Sequence, residues 1–187
     1  MLTLNFNPFP NLETERLLLR RVLQSDVNEV FALRSNEEVM KYIPRPIANT
    51  IADATAHIET IDNTINNNEG INWAITLKGS DQLIGLIGHY RIQPNNYRAE
   101  VGYILNPSFQ RQGIIVEAMK EVVEYGFKEM KLHSIEAVID PNNSGSEKVL
   151  IKSGFKKEAH FIENQFYQGK FLDTAVYSLR NNQSEEI

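Results

Sequence analysis

The spacing of apolar and polar residues predicts three consecutive strands in the middle of the chain. Residues 71–77 form an apolar run, and residues 78–81 form a polar segment with one glycine, which is typical of a hairpin turn. Residues 82–90 are almost continuously apolar, as expected for a central strand that is covered on both faces. Residues 94–96 turn the chain into a third strand over residues 99–105. We therefore predict an antiparallel meander.

The period of the apolar positions changes from two to about 3.6 after this meander. The apolar residues that recur at three and four positions are Ile115, Ala118, Met119, Val122, Gly126, Phe127 and Met130. They predict a long amphipathic helix, and residues 134–139 then return to a strand pattern. A strand, a helix and a second strand in this order make a right-handed crossover, which adds a parallel pair to the sheet.

The N-terminal third of the chain is predicted to hold one strand followed by three helices. Residues 12–20 alternate as a strand. A first helix begins after Ser25 or Asp26, which can cap it, and further helices are predicted over residues 37–42 and 53–66.

The C-terminal third is predicted to hold one helix and a final pair of strands. Ser144 and Glu147 stand in capping-box register, so we predict a helix that begins at Ser144 and ends near Gly154. Residues 155–161 and 171–179 then form an antiparallel pair. The whole pattern predicts an α/β (α+β) fold: a single domain over residues 12–180 with a central mixed, mostly antiparallel twisted sheet of about seven strands, flanked by helices. Residues 1–11 and 181–187 are predicted to be tails.

Composition narrows the classes of function. The chain has 187 residues with a net charge of −5, which argues against general binding of nucleic acid. No apolar run is long enough to cross a membrane, and the first ten residues do not read as a signal peptide, so the expected location is cytoplasmic. There is no cysteine, hence no disulfide, no thiolate nucleophile and no thiolate ligand, and the four histidines lack the spacing of a metal site.

The turn between the third strand and the long helix has the features of an anion site. A helix begins with free backbone N–H groups and the positive end of its dipole, and a pyrophosphate suits both. Gly113 allows a ligand to approach the backbone, and Arg111 adds positive charge. A plain strand–loop–helix connection with a solvent-exposed arginine is the alternative interpretation.

This turn, Gln110-Arg111-Gln112-Gly113-Ile114-Ile115, resembles the coenzyme A loop of the GNAT superfamily of N-acetyltransferases, Gln/Arg-x-x-Gly-x-Gly/Ala. Ile115 departs from the small residue that is usual there. Glu117-Ala118 and the segment Thr14-Glu15-Arg16-Leu17 are similar to motifs of the Rim-type branch, which acetylates the N-termini of ribosomal proteins. The resemblance implies that acetyl-CoA binds with its pyrophosphate on the amides of residues 112–115. It also implies that acetyl-CoA enters a splayed gap between the strands that contain Glu100 and Ser134.

The same resemblance suggests which residues carry the chemistry. Glu100 stands on the strand before the loop, where it is expected to accept the proton of the amine; a structural ion pair is the alternative. Asn143 and Ser146 match Asn-x-x-Ser of the family, which implies that Asn143 lies along the pantetheine arm and that Ser146 protonates the thiolate. Helix capping by both is the alternative.

Three other positions bear on this assignment. Tyr103 and Tyr167 are alternative donors to the thiolate. Some Rim-type members place a glutamate near the final hairpin, and the matching position here is Gln165, which cannot act as a base.

The resemblance implies direct transfer of an acetyl group from acetyl-CoA to a primary amine in a ternary complex, without a metal. The expected acceptor is the N-terminal α-amine of a protein, such as a ribosomal protein. A small-molecule amine of the polyamine or antibiotic type is the alternative acceptor, and a non-catalytic sensor of acyl-CoA is the alternative function. We expect a monomer or homodimer that binds neither nucleic acid nor membranes.

Overall fold

The computed structural model describes residues 1–181, which form one mixed sheet flanked by helices. The strands are β1 (Leu12–Glu13), β2 (Leu17–Arg21), β3 (Ile71–Leu77), β4 (Gly85–Gln93), β5 (Arg98–Leu105), β6 (Ser134–Ile139), β7 (Lys156–Tyr167) and β8 (Lys170–Arg180). The α-helices are α1 (Val27–Arg34), α2 (Glu37–Met40), α3 (Ile51–Asn66), α4 (Ile114–Lys128) and α5 (Ser144–Lys152). Within residues 1–181, no helix is both long and apolar enough to span a membrane.

The described part of the chain confirms the predicted mixed, mostly antiparallel sheet. Its order is β1-β2-β3-β4-β5-β6-β8-β7, and only the β5–β6 pair is parallel. It has eight strands instead of about seven because the segment predicted as one strand is broken in two. The hydroxyl of Thr14 accepts hydrogen bonds from the backbone N–H groups of Arg16 and Leu17, which turns the chain between β1 and β2.

The parallel pair gives the sheet an opening. β5 and β6 are paired at only three positions, of which the last joins Glu100 to Glu136. β5 continues to Leu105 and β6 to Ile139 without further pairing to each other. The two strands therefore diverge after Glu100, and they leave the gap that the resemblance predicted.

Helix α4 packs closely on β4. Trp73 of β3 is fully buried and lies edge-on to Tyr125 of α4, with 5.3 Å between ring centroids. The Nε2 atom of His89 lies 2.9 Å from the carbonyl oxygen of Val122. A Cβ atom at Gly126 would lie 3.0 Å from that same Nε2 atom, so glycine allows the helix to approach the strand this closely.

One helix start and one helix cap differ from the prediction, whereas α5 begins at Ser144 as predicted. α3 begins at Ile51, because Thr50 caps it and Asp53 completes a capping box as the third helical residue. The predicted capping box of Ser144 with Glu147 is wrong: Asn143 is the cap of α5, and its side-chain oxygen accepts the N–H of Ser146 at 3.0 Å. The carboxylate of Glu147 instead accepts a hydrogen bond from the hydroxyl of Tyr177 at 2.6 Å.

The segment over residues 1–11, predicted to be a tail, packs on the sheet. Leu2 and Phe6 are buried in the core, and the indole N–H of Trp73 donates to the carbonyl oxygen of Pro10 at 2.7 Å. At the other end, the backbone N–H of Asn181 donates to the carbonyl oxygen of His133. The rest of the predicted C-terminal tail, residues 182–187, lies outside the described residues.

Candidate active site

The loop before α4 presents backbone amides without a side-chain cap. Gly113 is the residue that precedes the helix, and it has a φ of +78°, in the left-handed region. It offers no side chain that could accept the first N–H groups of α4, and no side chain caps them. The loop residues Gln110, Arg111 and Gln112 are exposed. The start of α4 is therefore open to an anion, as a phosphate site requires.

The departure at Ile115 does not narrow this loop. Its side chain is only 7% exposed and belongs to the hydrophobic core, together with that of Ile114. A branched side chain that points into the core leaves the backbone N–H groups accessible from the loop side. Ile114 and Ile115 thus contribute amides at the helix start, while their side chains anchor α4 to the sheet.

A network that sequence reasoning missed fixes this loop in place. The carboxylate of Glu117, in the first turn of α4, accepts hydrogen bonds from the hydroxyl of Thr14 at 2.5 Å and from the Nε atom of Arg16 at 2.7 Å. The guanidinium of Arg16 also donates to the carbonyl oxygen of Gln112 at 3.1 Å. The β1–β2 turn therefore holds both the loop and the first turn of α4.

Electrostatics keep the Glu117 carboxylate charged. Burial acts to raise its pKa, but the hydrogen bonds from Thr14 and Arg16 outweigh burial and lower the pKa below its ordinary value. Each of the two motifs is visible in the sequence. Their pairing is not, because about 100 residues separate them along the chain.

A cavity of about 490 Å³ lies beside the loop, along α4. Gly113, Val116 and Glu117 line one part of it, and Lys120 and Lys152 contribute positive charge. The cavity runs from the open amides towards the end of α5. The two lysines can bind negative charge, and the rest of the lining, which includes Val116, Met119 and Val123, is largely apolar.

The gap between β5 and β6 contains a pair of hydroxyl groups. The phenol oxygen of Tyr103, on β5, lies 2.6 Å from the Oγ atom of Ser146, in the first turn of α5. Asn143 holds that turn through its bond to the N–H of Ser146. Burial raises the pKa of Tyr103 to about 12, against the opposing effect of the hydrogen bond with Ser146, so the phenol stays protonated. The structure thus brings together three of the residues that the sequence singled out.

Glu100 lies on the opposite face of β5 from Tyr103, because neighbouring residues of a strand point to opposite faces. Its carboxylate accepts a hydrogen bond from Arg91 at 2.7 Å, and its side chain is 16% exposed. Burial raises the pKa of Glu100 above its usual range, although Arg91 acts to lower it. A carboxylate that titrates closer to neutral pH is better suited to take a proton from an amine.

The final hairpin extends past the end of β6. β6 and β8 pair as far as Ile139 and Ala175, whereas Gln165 and Tyr167 of β7 pair with residues of β8 that lie beyond this point. Glu163 has a φ of +51°, and its N–H donates to Asp173 of the same hairpin. Within residues 1–181, no three potential metal-ligating side chains cluster.

Comparison with known proteins identifies the class. The family described as "Acetyltransferase (GNAT) domain" matches residues 16–156. The uncharacterized N-acetyltransferase YoaA of Bacillus subtilis (strain 168) is 36% identical over 171 residues, which cover 91% of this chain and 97% of YoaA. The crystal structure of a GNAT-family acetyltransferase from Bacillus anthracis superposes with a TM-score of 0.81 at 30% identity, covering 91% of this chain and 98% of that one.

The chain therefore belongs to the GNAT family, and it is an acetyl-CoA-dependent N-acetyltransferase. Solved structures with the same fold include complexes with coenzyme A and with acetyl-CoA. Two more distant relatives from Escherichia coli (strain K12) have named acceptors. A ribosomal-protein-serine acetyltransferase is 32% identical over 98 residues, covering 52% of this chain and 55% of that protein. A spermidine N(1)-acetyltransferase is 24% identical over 153 residues, covering 82% and 80%.

Proposed function

We propose that this enzyme acetylates the N-terminal α-amine of a protein, with Glu100 as general base and Ser146 as general acid. One observation carries the proposal. The carboxylate of Glu100 and the Tyr103–Ser146 hydroxyl pair lie on opposite faces of the same strand, at the point where that strand separates from β6. A thioester in the gap would have a proton acceptor on one side and a proton donor on the other.

Acetyl-CoA fits this site along a path from the loop before α4 into the gap between β5 and β6. The uncapped amides of residues 112–115 suit its pyrophosphate, and the exposed guanidinium of Arg111 and amides of Gln110 and Gln112 flank them. The gap between β5 and β6 offers unpaired strand edges to the pantetheine arm, and Asn143 caps the helical turn that carries Ser146. The Arg16–Glu117 pair keeps the loop in the conformation that presents its amides.

The chemistry requires three proton movements. Glu100 takes a proton from the ammonium form of the acceptor, and the neutral nitrogen then attacks the thioester carbonyl. The C–N bond forms, the C–S bond breaks, and the departing thiolate takes a proton from the hydroxyl of Ser146. The nitrogen loses its second proton as the amide forms, and this proton, carried by water, restores the Ser146 hydroxyl. Tyr103 stays protonated at neutral pH, and its phenol oxygen lies 2.6 Å from the Oγ atom of Ser146, where either oxygen can be the donor. When the phenol donates, it stabilises the charge that develops on the Ser146 oxygen.

Two relatives support different acceptors. The match to a ribosomal-protein-serine acetyltransferase, together with the Thr14-to-Leu17 and Glu117-Ala118 motifs, favours a protein N-terminus of the kind that the Rim-type branch uses. The match to a spermidine acetyltransferase supports a small amine as the second candidate. Family membership and the paired acid and base favour turnover over a sensor of acyl-CoA.

An acceptor screen tests this proposal. Release of free thiol from acetyl-CoA would be followed with peptides that begin with serine or alanine, with the same peptides acetylated at the N-terminus, and with spermidine. We expect release with free N-terminal peptides and none with the blocked ones. Release with spermidine alone would replace the proposed acceptor by the small-amine alternative.

A further inference from the structure

Arg16, in the turn between β1 and β2, lies against the loop that precedes α4. Its Nη2 atom lies 2.6 Å from Oε2 of Glu117 and donates to the carbonyl oxygen of Gln112 at 3.1 Å. Its Nε atom donates to the same carboxylate at 2.7 Å. A Cβ atom at Gly113 would lie 3.6 Å from Nη2, so the guanidinium packs directly on the glycine. The guanidinium therefore contacts the backbone on which the pyrophosphate is expected to bind.

The hydrogen bond to Gln112 fixes the direction of the next amide. The peptide between Gln112 and Gly113 is trans, and the C=O and N–H groups of a trans peptide point to opposite sides. Because the carbonyl of Gln112 points to Arg16, the N–H of Gly113 points away from it, and it donates to no other group within residues 1–181. Gly113 is exposed and lines the cavity along α4. The guanidinium thus holds a free amide in one orientation, and its bond to the carbonyl also makes that amide a stronger donor.

The carboxylate of Glu117 places negative charge beside the same loop. Glu117 is in the first turn of α4 and lines the cavity together with Gly113. Burial acts to raise its pKa, but the hydrogen bonds from Thr14 and Arg16 lower the pKa, so the carboxylate stays charged. An unpaired carboxylate at this position would repel a pyrophosphate at the start of the helix. Arg16 supplies the opposite charge, and it forms the ion pair of Glu117 within residues 1–181.

We propose that Arg16 is a positioning residue for acetyl-CoA, which orients the Gly113 amide towards the pyrophosphate and neutralises the Glu117 carboxylate beside it. This inference rests on the proposed function, since it takes the loop before α4 as the pyrophosphate site. Arg16 acts through the protein, because its Nε and Nη2 atoms donate to Glu117 and Gln112. Arginine suits this role, since its rigid fork of donors reaches a carboxylate and a carbonyl at the same time.

The affinity for acetyl-CoA, measured by calorimetry on three variants, tests the inference. Arg16→Gln removes the positive charge and leaves the Glu117 carboxylate unpaired, so the affinity is expected to fall at least about tenfold. Glu117→Gln removes the negative charge and leaves Arg16 positive, so acetyl-CoA is expected to bind as tightly as to the wild-type enzyme or more tightly. The double variant contains neither charge, and its expected affinity is higher than that of Arg16→Gln.

The recovery of affinity in the double variant distinguishes positioning from a purely structural role. If the ion pair only stabilised the fold, each single variant would lose affinity in proportion to its loss of melting temperature. The double variant would then bind no better than Arg16→Gln. Melting temperatures measured on the same preparations provide this comparison. Wild-type affinity in Arg16→Gln, or a double variant that binds no better than Arg16→Gln, would overturn the inference.

Arg21→Gln is the matched control. Arg21 lies at the other end of β2, where its Nη2 atom lies 2.8 Å from Oδ1 of Asp62 in a partly exposed ion pair. The substitution therefore removes one arginine and one ion pair, with the same change in net charge, away from the loop. It is expected to lower the melting temperature and to keep the affinity for acetyl-CoA. An equal loss of affinity in Arg21→Gln and Arg16→Gln would show that net charge or general stability sets the affinity, and it would refute the proposal.

A folded Gly113→Pro variant separates this inference from the proposed function. Weaker binding of acetyl-CoA to Gly113→Pro, with unchanged binding to Arg16→Gln, would remove the inference and keep the loop as the pyrophosphate site. Unchanged binding to both variants would remove the pyrophosphate site together with the inference.

Discussion

Replacing Ser146 by alanine tests the assignment of the general acid. The structure separates two roles that the sequence could not. The cap of α5 is the side chain of Asn143, which binds the backbone N–H of Ser146, so Ser146→Ala keeps the cap. What the substitution removes is the hydroxyl that lies 2.6 Å from the phenol oxygen of Tyr103.

The stability cost of this change is expected to be small. One side-chain hydrogen bond is lost, and the phenol keeps a second, longer bond to the carbonyl oxygen of Ser146 at 3.3 Å. A net loss of about 1 kcal/mol follows, which corresponds to a melting temperature lower by about 2–4 °C in a domain of this size. By contrast, the loss of a general acid costs about 10²-fold in kcat, since the thiolate must then leave without a proton.

Steady-state rates, acetyl-CoA affinity and melting temperature should be measured on the same preparation. We expect kcat and kcat/KM to fall together while acetyl-CoA binds as before, because the hydroxyl acts only as charge develops on sulfur. Ser144→Ala is the matched control: Ser144 is exposed in the same helical turn, and its removal should change neither rate nor affinity. A Ser146→Ala enzyme with wild-type kcat would refute the reasoning.

Three further predictions follow from the site and the core. Gly113→Pro removes an amide donor and cannot adopt the left-handed φ of Gly113. Calorimetry should therefore show that the affinity for acetyl-CoA falls about tenfold or more. Unchanged binding would exclude the loop as the pyrophosphate site. Glu100→Gln should lower kcat. It should also abolish the increase of kcat/KM with pH, which in the wild-type enzyme should continue above the usual pKa range of a carboxyl group. A variant that keeps this increase would show that Glu100 has only a structural role. Burial lowers the pKa of His89, and of His57, to about 4. Because both histidines are neutral in the folded protein, their contribution to the free energy of unfolding is complete above a pH of about 6.5. This contribution is lost as the pH falls towards about 4, at up to about 1.4 kcal/mol per pH unit for each histidine. Urea unfolding at pH 7.5 and pH 5 should show this loss, reduced in His89→Gln.

The elements predicted most accurately are those in which apolar residues recur at a regular spacing because they pack on the core. The β3 and β6 strands have the predicted bounds, because each alternates or runs apolar between clear turn residues. The Gly113 loop was also predictable, since strand, glycine and helix follow each other directly in the sequence. Local patterns of this kind carry their own information on where an element begins and ends.

Contacts between distant segments could not be predicted in the same way. No local pattern indicates that Thr14 and Arg16 hold Glu117, or that Pro10 accepts the indole N–H of Trp73. The segment before residue 12 has no periodic pattern, yet Phe6 is buried, because the sheet provides the surface that this segment covers.

The geometry of β5 explains how one strand can serve both partners of the reaction. Up to Glu100 the strand is paired on both sides, which fixes that carboxylate on the face with Tyr90. Beyond Glu100 the pairing with β6 ends, and Tyr103, on the other face, reaches to α5 through its phenol oxygen. We propose on this basis that the thioester enters from the side of α4 and α5 and that the amine approaches from the opposite face. In this arrangement the sheet separates the two substrates everywhere except at the point where they react, as direct attack in a ternary complex requires.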